Sequence, residues 1–132
     1  MSFISKVKPM LSTIAETTEM HSNEQLRSRY YKTNKQQAMK VVEELLRHTD
    51  GCEVTFISSE HGEISATILS PKKASLVATI VTVQPYVTAI DFMVSMESSF
   101  SLFGQSQRYI IELYERLDKQ LTCIGTGLAS QL

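Results

Sequence analysis

The stretch "HGEISATILSPKKASLVATIVTVQPYVTAIDF", His61 to Phe92, decides the fold. Apolar and polar residues alternate through it, broken by "SPKK" from Ser70 and "QPY" from Gln84. A strand sends successive side chains to opposite faces, so period-two alternation marks strands with a buried face. The inward positions read Ile64, Ala66, Ile68, then Leu76, Ala78, Ile80, then Ile90, Phe92, Val94, Met96. Pro71 supplies a fixed φ for the first turn. One strand earlier, "CEVTFIS" alternates Cys52, Val54 and Phe56 and reaches the stretch through the turn "SEHG". Turns this short join neighbouring strands, so the four strands form an antiparallel meander.

"SLVATIVTV" is apolar on both parities, with Leu76, Ala78 and Ile80 on one face and Val77, Val81 and Val83 on the other. Such a strand lies centrally or at an interface. Only one of its faces can meet the helices. The other, Val77, Val81 and Val83 with Met93 of the next strand, is the candidate interface. It is expected to be covered by a second copy in a symmetric dimer, or else by an N-terminal helix carrying Met10, Leu11 and Ile14.

Two segments carry helix grammar. In "TNKQQAMKVVEELLRHTDG" Asn34 caps and Gln37 completes a capping box. Ala38, Val41, Val42, Leu45 and Leu46 form one stripe, Arg47 and His48 suit the negative end of the dipole, and Gly51 suits a left-handed stop. In "SQRYIIELYERLDKQL" the stripe is Ile110, Leu113, Tyr114, Leu117 and Leu121. Glu112 with Arg116, and Glu115 with Lys119, are favourably spaced.

"LRSRYYK", Leu26 to Lys32, reads as a strand. Residues 1–25 read as a short amphipathic helix, from about Pro9, and a linker. Residues 122–132, with Gly125 and Gly127, read as a fraying tail. The chain thus divides into 1–25, a single domain over 26–121, and 122–132. The fold class is α+β: an antiparallel curved sheet of about five strands, packed on one face by two helices, plus a short N-terminal helix.

Composition narrows the function. The 132 residues are 42% apolar and 20% charged, an ordinary globular balance with room for one real core. A net charge of −1 gives no field that draws nucleic acid or anionic lipid. No window approaches the roughly 18 apolar residues of a spanning helix. Two cysteines, Cys52 and Cys123, are too few for a disulfide framework or a thiolate metal site and fit a reducing, cytoplasmic compartment.

Residues able to carry chemistry are few. "EHGE" offers Glu60, His61 and Glu63 across a tight turn at Gly62, where a metal would need three or four converging ligands. Asp91 is a carboxylate inside an apolar strand, opposite in parity to Ile90 and Phe92, and reads as a solvated or cross-strand-paired acid on the outer face. Arg27, Arg29 and Lys32 with Tyr30 and Tyr31 have the composition of a single-strand nucleic-acid platform, but the acidic balance and the lack of a recognition motif point instead to an amphipathic strand face. Neither cysteine has a histidine at a telling spacing, and the five glycines are scattered rather than gathered in a phosphate loop.

"RYY", the following helix, "GEISA", "TAIDF" and a closing helix come in an order that resembles a family of small uncharacterised cytosolic proteins of Gram-positive bacteria. It is also similar to helix-grip-like domains, including repeats in a lipoprotein of the outer-membrane barrel assembly machinery. The resemblance covers about Leu26 to Leu121. It implies a fold and no activity, since none of its motifs is catalytic.

The expected function is a non-enzymatic cytosolic interaction module, self-associating or bound to another protein, with no cofactor, no metal, no nucleic acid and no membrane. Two alternatives stay open. One is a carrier of a small apolar ligand in a cleft between sheet and helix, lined by Phe56, Ile80, Phe92 and Tyr114. The other is a small enzyme using Asp91 or His61.

Overall fold

A computed structural model describes residues 14–18, 23–70, 73–96 and 103–126. Its elements are β1 (Ile14–Glu16), a 3₁₀ turn (Glu24–Leu26), β2 (Arg29–Tyr31), α1 (Lys35–Arg47), β3 (Cys52–Ser58), β4 (Glu63–Ile68), β5 (Ala74–Gln84), β6 (Val87–Met96), α2 (Phe103–Leu117) and β7 (Cys123–Thr126). The class is α+β, with one antiparallel sheet and two α-helices among the described residues.

The meander β3–β4–β5–β6 forms as the alternation predicts. The sheet has seven strands rather than about five, in the order β3-β4-β5-β6-β2-β7, with β1 also on β6. The two additional strands come from segments read otherwise. Part of the expected N-terminal helix and linker is β1, opposite Met93–Ser95. Part of the expected tail is β7, paired with β2. The rest of the expected N-terminal helix lies outside the described residues.

Residues directly opposite in a ladder share a face. The inner face carries Ile64–Ala78–Phe92 in one row and Ala66–Leu76–Val94–Ala15 in the next, large side chains beside small ones. The helices close over it, α1 on β3, β4 and β5, and α2 on β6 and β1. Asn34 caps α1 by accepting from the Gln37 amide at 2.8 Å, and Ala38, Met39, Val42, Leu45 and Leu46 are its buried stripe. From α2, Ile110, Leu113, Tyr114 and Leu117 complete the core, and Leu121 joins it just past the helix.

Two bulges change which way side chains point. β3 and β4 slip register between Val54 and Phe56, making Thr55 an extra residue. Phe56 then faces outward opposite Ser65, and Ile57 takes the inward place opposite Ile64. β5 slips likewise between Thr82 and Gln84, with Val83 as the extra residue.

Candidate functional site

The outer face of the sheet carries an apolar row. Phe56, Ser65, Val77, Met93 and Glu16 lie side by side across five strands. Phe56 is 58% exposed, Met93 36%, and Val81, further along β5, 48%. Val77 is half-buried and Val83 is exposed at its bulge. Val77, Val81 and Met93 therefore share one face, Val83 stands at the bulge, and Phe56, read from the sequence as a cleft residue, joins the outer face. Beside Val81, Ala89 and Tyr30 continue another row across this face, and both are buried.

The other cleft residues stand on the opposite side. Ile80, Phe92 and Tyr114 are each at most 1% exposed, which leaves no water-sized void against them. Phe92 and Tyr114 meet edge to face with ring centroids 5.1 Å apart. These four residues are not brought together, because the extra residue at Thr55 turns Phe56 away.

A polar seam crosses the sheet at Asp91. β1 and β2 share the same edge of β6, β1 opposite 93–95 and β2 opposite 88–90. Asp91 and Phe92 lie in the interval. Thr17 fills it, donating its amide to the Phe92 carbonyl and accepting the Phe92 amide on Oγ1, both at 2.9 Å. The Thr17 hydroxyl then donates to Asp91 Oδ1 at 2.6 Å, and Ser28 donates to the same oxygen at 2.6 Å. The Tyr114 hydroxyl donates to the Ile90 carbonyl at 2.6 Å and lies 3.3 Å from Thr17 Oγ1. Burial, then the charge of Asp91, holds the Tyr114 phenol well above its ordinary value, so it stays protonated as a donor.

Arg29 extends the seam on the helix side. Its guanidinium carbon stands 4.4 Å from the centre of the Tyr114 ring, and Nη1 pairs with Asp118 at 2.6 Å. Tyr31 donates to the other oxygen of Asp118 at 2.6 Å. Thus Arg29, Tyr30 and Tyr31, which suggested a nucleic-acid platform by composition, are committed to packing, with both tyrosine rings buried.

The seam has parts a nucleophile would need, a serine and a threonine hydroxyl on a carboxylate, but both hydroxyl residues are buried. The arrangement acts as a latch on the split edge. Thr17, Ser28 and Asp118 were invisible as partners in the sequence, since they lie 74, 63 and 89 residues from Asp91, Asp91 and Arg29 respectively.

His61 sits exposed at the β3–β4 turn, its Nδ1 2.9 Å from Ser58 Oγ, which also accepts the His61 amide at 3.2 Å. The pair closes the turn. Gly62 follows with φ +69°, and a β-carbon there would lie 2.2 Å from the Ile80 carbonyl oxygen. Among the described residues, no three His, Cys, Asp or Glu side chains gather as a metal would require. Cys52 is half-buried beside Tyr109, and burial pushes its thiol up. A shallow groove of about 190 Å³ lies between the ends of the helices, lined by Val41, Glu44, Leu45, His48, Arg116 and Gln120. Arg116 there donates to Thr49 Oγ1 at 2.8 Å.

No helix among the described residues is long and apolar enough to cross a membrane. No protein-family model matches the chain, and no curated protein matches it.

Proposed function

We propose that the protein is a non-enzymatic interaction module of the cytosol that meets its protein partner through the outer face of its sheet. The observation that carries this reading is the outward apolar row of Phe56, half-buried Val77 and Met93, continued by exposed Val81. Fully burying such a side chain is worth about 1.5–3 kcal/mol, and an antiparallel sheet facing water normally puts polar residues there. The helix-covered face has no such surplus, because its large side chains already pack against one another. The buried hydroxyls at Asp91 argue against an enzyme, and the two free cysteines support a reducing compartment.

The test is Val81→Lys together with Met93→Lys in the full chain. Both positions are exposed, so the fold tolerates the charges. If the face is an interface, the sedimentation coefficient or the unfolding midpoint changes when it is disrupted. If both stay as in the unmodified protein, the face is open to water and the reading fails.

A further inference from the structure

The apolar row of the outer face lies between two polar rows. On one side run Ser58, Glu63, Thr79 and Asp91, and on the other Glu53, Thr67, Ser75 and Ser95. Each flanking row is two residues further along the strands, about 7 Å away. Glu16 ends the apolar row itself, opposite Met93. The remaining charged residue of the described strands is Arg29, which lies on the helix side against Tyr114. The face is thus an apolar line with carboxylates on both flanks and at one end. Asp91 is held by Thr17 and Ser28. Glu16, Glu53 and Glu63 form no ion pair with a described residue.

This pattern selects among occupants. A second copy would set the carboxylates of one face against the same carboxylates of the other, with no strand cation between them, and like charges facing across an interface are unfavourable. A wholly uncharged partner would draw carboxylates out of water without pairing them, which also costs. A basic partner avoids both. Its apolar side chains meet Phe56, Val77 and Met93, and its lysine or arginine stems lie along the margins with their heads at Glu53 on one flank and Glu63 on the other. The row crosses four strand spacings, about 19 Å, which about 13 helical residues or 6 extended ones would cover.

Resting on the reading of this face as a docking surface, we infer that its partner is a short polypeptide segment with a line of apolar side chains flanked by lysines or arginines. The apolar line supplies contact area, and the two acidic flanks choose the sign of the partner's charge.

The test titrates two synthetic peptides into the isotope-labelled full chain and follows its backbone amide resonances. One is a leucine–lysine peptide of about 14 residues with leucine along one helical face, and the other is its leucine–glutamate counterpart. The lysine peptide is expected to shift Phe56, Val77 and Met93, and the glutamate peptide is not. Its affinity should fall at least about ten-fold between roughly 0.05 and 0.5 M salt, because salt screens exposed charges. Glu53→Lys with Glu63→Lys should reverse the preference. Glu53→Gln with Glu63→Gln should weaken the lysine peptide without gaining the other. The same charge change at Glu112 and Glu115, exposed on α2, should leave the preference as it was. The inference is overturned if neither peptide or both shift these residues, if reversal at Glu53 and Glu63 leaves the preference unchanged, or if reversal on α2 changes it equally. In those cases, an effect of Val81→Lys with Met93→Lys on sedimentation or the unfolding midpoint leaves the docking face standing with a partner of other chemistry. The absence of any such effect removes the docking face as well.

Discussion

The Thr17 hydroxyl donates to Asp91 Oδ1 at 2.6 Å across 74 residues of sequence, and the same hydroxyl oxygen accepts the buried Phe92 amide. One side chain thus stands in for a missing ladder residue and holds the carboxylate that Ser28 also grips. The latch ties the two short strands to their shared edge, where β1 and β2 each meet only three residues of β6.

Asp91→Ala should therefore destabilise the fold by about 1–3 kcal/mol, the cost of leaving buried hydroxyls without an acceptor. Thr17→Val should cost a similar amount through the Phe92 amide. Urea denaturation of both single variants and the double variant should show clear coupling between the positions. Additive losses would mean that the two residues act separately.

At the β3–β4 turn, neighbouring positions should respond oppositely. Gly62→Ala puts a side chain at φ +69° and into contact with the Ile80 carbonyl, whose residue donates its amide back to the Gly62 carbonyl at 2.7 Å. A loss of at least about 1–3 kcal/mol is expected. His61→Ala, one residue away and exposed, should stay within about 0.5 kcal/mol. Comparable losses in the two denaturation curves would contradict this account of the turn.

Leu117 is fully buried at the end of α2. Leu117→Ala should cost roughly 2–5 kcal/mol by chemical denaturation, a large share of a small domain's stability. An unchanged midpoint would mean that α2 is peripheral.

β7 covers the free edge of β2, with Arg29 opposite Thr126 and Tyr30 opposite Gly125. Ending the chain after Thr122 should lower Tm, by roughly 2–8 °C for each kcal/mol lost. Ending it after Thr126 should not. Matching melts for the two truncations would show that β7 contributes nothing to stability.

Alkali should unfold the protein through its buried phenols. Burial, then the hydrogen bond and charge of Asp118, raises Tyr31 far above its ordinary 10.0. The folded state keeps a proton that the unfolded chain releases, so this contribution is full below pH 10 and is lost as pH rises above it. The slope is about 1.4 kcal/mol per pH unit for each such group. Tyr31→Phe should lower stability at neutral pH and flatten the fall of Tm between roughly pH 10 and 11.5, where the unfolded phenol ionises. Parallel Tm profiles for variant and parent would show that Tyr31 does not govern the alkaline limit.

What the sequence determined by itself is the set of elements with enough residues to show a period. The alternation from Glu63 to Met96 and the stripes of α1 and α2 specify strands, helices and an inner face, because each repeats several times within a local window. Asn34 and Gly51 were legible for the same reason, since caps and left-handed stops act over three or four residues. The outward apolar set of Val77, Val81 and Met93 was legible from parity alone. Tertiary structure decided the rest. β1, β2 and β7 have three or four residues each, too few to show a period, and exist because the edges of β6 and then β2 offer unpaired backbone. The bulge at Thr55 changes the strand parity by one residue and sends Phe56 outward, a step no local pattern announces. The latch at Asp91 joins residues far apart in sequence, so its hydroxyl partners could be found only when folding brought two strand ends to the same edge.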